Sequence, residues 1–186
     1  GVAFGALWLN AKGFLRALVA PNLTLDGSVS VSASEAFGRR NQNRDRERVL
    51  AAAAALMALY AEHRIPFARA TIMAAFGCNF QGEVPISAVL DRIEAILALA
   101  GGVGLERPVI SLADTMAWAT PLSIQRVVGA VRNKWPDLEI SLHLHDTRGM
   151  AVVNAWEGMR TCAEELGDLE AYAVACEQLG ARCADP

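Results

Sequence analysis

Short apolar runs with strand character recur along the chain, and each is followed by a stretch whose apolar residues fall at helical spacing. Ser28-Val-Ser-Val-Ser32 alternates with period two and is β-branched, which predicts a strand. Ala70–Phe76, Pro108–Ala113 and the run starting at Glu139 predict three more. Between them, Asp45 is placed to cap a helix reaching about His63, with Val49, Ala53, Leu56 and Tyr60 on one face. Pro85 begins a helix carrying Val89, Ile93, Ile96 and Leu97 and closing at Gly101, Gly102 and Gly104. Thr120-Pro121 reads as N-cap and first position of a helix that carries Ile124, Val127, Val128 and Val131 and stops before Pro136. From Met150 to about Leu179 the pattern is helical again, with Gly158 and Gly167 as points where it divides. At the start, Leu7, Phe14, Leu15 and Leu18 predict a helix, or a loop leading into one, before Pro21-Asn22. Gly38–Arg44 reads as a polar loop.

Strand–helix alternation predicts parallel strands joined by right-handed crossovers. An open doubly wound sheet and a barrel both satisfy that pattern. No GxGxxG follows a strand and no GxxxxGK[ST] is present, which counts against the nucleotide-cradling folds. Each strand instead runs into a polar cluster: Ser34-Glu35, Cys78-Asn79, Asp114-Thr115, and His143 to Asp146. Polar groups gathered at the same end of successive strands are the arrangement of barrel enzymes. The fold expected is therefore α/β, a partial (β/α)8 TIM-type barrel. Residues 1–186 form one domain in this reading, with 161–186 a divergent helical segment at its end.

The chain has 186 residues, 53% of them hydrophobic and 20% charged, enough to bury a core of ordinary domain size. A net charge of −3 without a basic stripe makes nucleic acid an unexpected partner. No apolar span reaches membrane length, so no membrane association is expected. Cys78, Cys162, Cys176 and Cys183 form no CxxC pair, and scattered thiols suit a reducing, cytoplasmic setting.

Candidate chemistry concentrates at Ile140–Gly149. Side chains of a strand alternate faces, so His143 and His145 share one side while Ile140, Leu142 and Leu144 take the other. Two imidazoles at the carboxyl end of a strand are placed to hold a metal, although two ligands do not complete a site. The competing reading is a pair of hydrogen-bonded structural histidines. Asp114 likewise has two readings, a reactive carboxylate or a cap on the turn into its helix. Cys78 reads more readily as a small loop or core residue than as a nucleophile, and Trp118, Trp135 and Trp156 as packing.

Four segments in order carry a family resemblance. His143-Leu-His-Asp-Thr-Arg-Gly149 resembles the HxHDTxG motif of the hydroxymethylglutaryl-CoA lyase family, which belongs to the metal-dependent aldolase and lyase barrels. Ser32–Phe37 with Arg40-Asn41 resembles its ASExF…N segment, and Phe76–Gly82 resembles its GCPxxG loop. Ile110–Thr115 followed by Thr120-Pro121 resembles its ISLxDTxGxxTP stretch. The resemblance implies that His143 and His145 ligate a divalent cation, Mg or Mn first. It implies that Asp114 is a carboxylate near the reacting centre and that Asp146 holds an imidazole tautomer from behind. It places Cys78 and Asn79, with Asn41, in a substrate loop at the barrel mouth. The implied reaction is retro-aldol cleavage of a 3-hydroxy-3-methylglutaryl-CoA-like acyl-CoA to acetyl-CoA and a 3-oxo acid. The implied partners are that acyl-CoA and a second copy of the chain in a homodimer.

Two family features depart. The R-D-G-like segment, which supplies an arginine and a metal-ligating aspartate, has no counterpart before Ala6. The late GLGGCP loop with its reactive cysteine has no clean copy; Leu179–Pro186 has a passing likeness, with Cys183 in the cysteine's place. A catalytically incompetent barrel piece and an acetyl-CoA-dependent condensing synthase therefore stand as alternatives to the lyase.

Overall fold

The computed structural model describes residue 2 and residues 4–166 of the chain. Two short strands, β1 (Phe4–Gly5) and β2 (Leu23–Thr24), pair in parallel around helix α1 (Ala11–Leu18). At two residues each they are too short for any periodicity to announce them. Asn10 caps α1 by accepting the Gly13 N–H, and Phe14 is the residue the helix buries. Leu7 and Leu15, counted above as helix positions, are exposed.

The main sheet has four strands, β3 (Gly27–Ser32), β4 (Phe67–Met73), β5 (Val109–Ala113) and β6 (Ile140–His143). They lie side by side in chain order and are all parallel. Helices α2 (Glu35–Gln42) and α3 (Arg46–Glu62) connect β3 to β4. Helix α4 (Ile86–Gly102) connects β4 to β5, α5 (Pro121–Lys134) connects β5 to β6, and α6 (Ala151–Leu166) follows β6. A doubly wound sheet reverses its strand order at a switch point. Here the order never reverses, so the chain forms part of a barrel wall.

Register explains the core. Val29, Ala70, Ile110 and Ile140 are aligned across the sheet, and Val31, Ile72, Leu112 and Leu142 form the next such row. These rows pack against the helices with Leu56, Met57, Ile93, Ile96, Ile124 and Val128. The alternate row, on the opposite face, is Ser30, Thr71, Ser111 and Ser141. Barrel interiors are usually filled by bulky branched residues, whereas this one carries a line of four hydroxyl side chains.

Three expectations change. Most of Gly38–Arg44, expected as a polar loop, belongs to the helix of residues 35–42: Ser34 caps it by accepting the Phe37 N–H, and Asn43 ends it in the left-handed conformation. Its faces are largely solvated, so no apolar period marked it. The second strand is Phe67–Met73 rather than 70–76. Ala74 leaves the strand at a φ of 53°, and its N–H turns to donate to the Thr115 hydroxyl at 2.8 Å. The last helix begins one residue later than Met150, and of the segment 161–186 only its first residues, the end of α6, are described.

Candidate active site

The carboxyl ends of β4, β5 and β6 are stitched together by main-chain hydrogen bonds that continue past the strands. The Ala75 N–H donates to the Ala113 carbonyl at 3.0 Å, and the Asp114 N–H donates to the His143 carbonyl at 2.9 Å. Asp114 is the centre of this seam. Its Oδ1 accepts the N–H groups of Trp118 at 2.7 Å and Ala119 at 2.9 Å, which fixes the turn leading to α5. Its main-chain carbonyl faces Nδ1 of His145 at 2.7 Å. Asp114 is 2% exposed, so both roles are played from a buried position. The capping reading of this residue is thus realised in the structure. Its second carboxylate oxygen has no hydrogen bond among the described residues.

His143 ends β6 opposite Ala113, and His145 follows two residues on. Their ring centroids are 5.0 Å apart with the planes at 70°. Both are exposed, while Leu142 and Leu144 pack against the core on the other side. The alternation read from the sequence therefore holds through the strand end. Because a carbonyl can only accept, the contact to Asp114 makes Nδ1 of His145 the protonated nitrogen. In the neutral ring Nε2 is then the lone-pair nitrogen, the form in which an imidazole ligates a metal.

Asp146 does something other than hold an imidazole. Its Oδ1 accepts the Ala151 N–H at 2.9 Å and so caps α6, and its main-chain carbonyl accepts the Gly149 N–H. The group that orients His145 is the Asp114 main chain instead. The sequence could not show this, because a carbonyl leaves no residue-type signal.

The loop after β4 closes over the seam. Cys78 is fully buried; its main-chain N–H and carbonyl both bond Gly82, and its thiol accepts the Phe80 N–H at 3.4 Å. It holds the loop's shape, in keeping with the structural reading. The Asn79 side-chain carbonyl accepts the indole N–H of Trp118 at 2.6 Å. Gln81 accepts from the Ser34 hydroxyl at 2.9 Å, tying this loop to the start of α2. Asn41 is exposed on α2 and joins none of these contacts. Trp118 was expected only to pack; it bridges the loop to β5, and the Arg148 guanidinium lies 5.8 Å from its ring centroid. Cys183 lies outside the described residues.

A divalent cation needs several nitrogen or oxygen donors converging on one point. The two imidazoles fit as adjacent ligands, and among the described residues no third His, Cys, Asp or Glu joins them in a cluster. For such an ion they would form one side of a coordination shell that needs further oxygen donors to be filled.

Parallel strands in chain order, with functional groups at their carboxyl ends, define a protein of the (β/α)-barrel enzyme class. The HMGL-like family profile matches residues 9–167, and the chain belongs to that family. It is 36% identical over 86 residues to a hydroxymethylglutaryl-CoA lyase of Bacillus subtilis, covering 46% of this chain and 27% of the relative. It is 30% identical over 154 residues to the cytoplasmic 3-hydroxy-3-methylglutaryl-CoA lyase of Homo sapiens, covering 83% of this chain and 39% of that one. The crystal structure of the Bacillus subtilis HMG-CoA lyase superposes with a TM-score of 0.76 at 26% identity, over 96% of this chain and 63% of that structure. The chain thus spans well under half the length of these two sequence relatives.

Proposed function

We propose that this chain is part of a divalent-cation-dependent carbon–carbon lyase that cleaves a 3-hydroxy-3-methylglutaryl-CoA-like acyl-CoA to acetyl-CoA and a 3-oxo acid. The observation that carries the reading is the His143–His145 pair at the mouth of a partial barrel of this family, with His145 oriented by the Asp114 carbonyl. His143 and His145 would hold the cation, Mg²⁺ or Mn²⁺ by the mixed nitrogen and oxygen donors such a site uses. A cation there supplies Lewis acidity toward the substrate's hydroxyl and carboxylate oxygens.

The chain's own residues then do three things. The Asp114 main chain holds the His145 tautomer. The free oxygen of the Asp114 carboxylate takes the proton of the substrate's 3-hydroxyl. As that proton leaves, the bond between C2 and C3 breaks, its electron pair passes into the acetyl-CoA enolate, and the C3 oxygen becomes the carbonyl of the 3-oxo acid. A proton returned to the enolate completes acetyl-CoA. A positioned acid or base of this kind contributes about 10²–10⁴-fold in rate. The loop from Phe76 to Gly82, fixed through Asn79 and Trp118, limits water access at the mouth.

The test is calorimetric titration of Mn²⁺ into the wild-type chain and the His143→Ala/His145→Ala double variant, paired with an acetyl-CoA release assay. Uptake by wild type and its loss in the variant supports the reading, and equal uptake by both rules it out. The incomplete ligand cluster favours one further reading, a cation-binding part whose turnover needs groups from outside the described residues. Uptake without acetyl-CoA release is the signature of that case.

A further inference from the structure

Asn154 stands on α6, is 0% exposed, and takes no part in the contacts described above. Its Nδ2 donates to the Ala119 carbonyl at 3.0 Å, across 35 positions of the chain. Its Oδ1 is buried and accepts no hydrogen bond among the described residues. An amide half satisfied in this way is a poor source of stability, since the unpaired oxygen offsets the bond made by the nitrogen. What the bond does instead is fix one carbonyl.

That carbonyl belongs to a turn under strain. Between β5 and α5 the chain passes through Ala117 at a φ of 55°, a left-handed conformation that a residue with a side chain adopts at a cost. Such backbone persists only where its surroundings hold it. Asp114 holds the turn from one side, its Oδ1 accepting the Trp118 and Ala119 N–H groups at 2.7 and 2.9 Å. Asn154 holds it from the other, so Ala119 is gripped at both its N–H and its carbonyl. Helix α6 is itself anchored beside His145, because Asp146 Oδ1 accepts the Ala151 N–H at 2.9 Å. The hydrogen bonds close a circuit: His145 to the Asp114 carbonyl, the Asp114 carboxylate to Ala119, Ala119 to Asn154, and α6 back to Asp146.

We propose that Asn154 is a positioning residue of the candidate active site. Through Ala119 it holds the Asp114 turn, and with it the carbonyl that sets the His145 tautomer. Its effect on metal uptake rests on the reading of His143 and His145 as cation ligands; its effect on the tautomer needs no cation. Removing a residue that orients a ligand from behind weakens metal binding by about 10–100-fold. Asn154 acts one contact further back, so the lower end of that range, about tenfold, is expected.

The experiment compares the full chain as wild type, Asn154→Leu, Asn154→Ser and Thr161→Val. Leucine fills a similar volume without a donor, and serine is too short to bring one to the Ala119 carbonyl. Thr161 is the control: its hydroxyl, also buried on α6, donates to the Glu157 carbonyl of the same helix, so its loss loosens α6 without releasing the turn. The first readout is ¹⁵N-histidine NMR of the metal-free protein. In both Asn154 variants the His145 nitrogens should move from the Nδ1-protonated positions toward the average of the two tautomers, while Thr161→Val keeps the wild-type positions. The second readout is Mn²⁺ titration, in which the Asn154 variants should bind about tenfold more weakly than wild type. If leucine prevents folding, the serine variant carries the comparison. Wild-type His145 resonances in every Asn154 variant that folds overturn the proposal, even where the melting temperature falls. So does a shift of equal size in Thr161→Val, or a wild-type His145 that is not protonated at Nδ1. Wild type that takes up no Mn²⁺ defeats the cation reading instead, and the NMR comparison then decides the role of Asn154 by itself.

Discussion

Nδ1 of His145 lies 2.7 Å from the main-chain carbonyl oxygen of Asp114, so the candidate ligand just beyond β6 is oriented by the residue just beyond β5. The Asp114 N–H reaches back to the His143 carbonyl at 2.9 Å, which closes the arrangement from the other side. Movement of one residue therefore moves the other.

The first prediction follows from that contact. In ¹⁵N-histidine NMR, His145 should appear as the tautomer protonated at Nδ1, because a carbonyl acceptor selects the N–H form there. Adding Mg²⁺ should shift the Nε2 resonance of His145 and leave its Nδ1 protonated. A His145 resonance in the opposite tautomer, or one untouched by the ion, removes Nε2 from the ligand role.

The histidine pair and the strand order were legible from sequence for a physical reason. Period-two alternation is local, so Ile140, Leu142 and Leu144 on one side place His143 and His145 on the other without knowledge of any partner strand. Capping chemistry is local too, which is why Thr120-Pro121 marked the start of α5, where Thr120 and Ser123 form a reciprocal cap. What stayed hidden depends on groups far apart in the chain. Trp118 finds Asn79 across 39 positions, and Arg92 reaches Ser32 across 60. Neither residue type announces such a partner. Asp146 misled for the opposite reason: standing next to His145 in sequence, it folds forward to cap α6 rather than back onto the ring.

Asp114→Asn separates a fold-holding role from a chemical one. The carboxylate accepts two main-chain N–H groups from a buried position, so an amide there should cost about 1–3 kcal/mol, read as a lower urea midpoint. If the same carboxylate takes the substrate's proton, acetyl-CoA release at a temperature where the variant is folded should fall by a further ~10²–10⁴-fold. A loss of stability with unchanged turnover leaves Asp114 a cap alone.

Tyr60 ties the fold's stability to alkaline pH. Its hydroxyl accepts the Trp8 indole N–H at 2.6 Å and the Ser28 N–H at 3.3 Å, and donates to the Ser28 carbonyl at 2.9 Å. Burial raises its pKa, against the smaller downward pull of the Trp8 and Ser28 hydrogen bonds. A raised pKa means the folded chain holds this proton more tightly than the unfolded one. The Tyr60 contribution is then fully present below the unfolded value of about 10 and is lost as pH rises from there through the folded pKa. Urea unfolding should show stability falling above about pH 10. Tyr60→Phe should remove its share of that fall while lowering stability at neutral pH by about 1–3 kcal/mol, since the Trp8 N–H and the Ser28 carbonyl lose their partner.

Gly77 is the residue on which the mouth loop turns. Its φ of 149° is one that residues with side chains rarely adopt. A methyl group built on it meets the Trp118 ring at 2.6 Å and the Trp118 Cβ at 2.8 Å. The ring cannot retreat freely, because its indole N–H is held by Asn79. Gly77→Ala must therefore push Trp118 away and break that hydrogen bond, at a cost of about 1–3 kcal/mol from overpacking, with backbone strain added to it. The change should be visible twice, as a lower melting temperature and as a shifted tryptophan emission reporting a more solvated ring. Asn79→Ala breaks the same hydrogen bond without crowding the glycine, and should reproduce part of the emission shift with a smaller loss of stability. If Gly77→Ala melts at the wild-type temperature with unchanged emission, Trp118 does not close against this glycine in solution, and the loop's part in sealing the mouth falls with it.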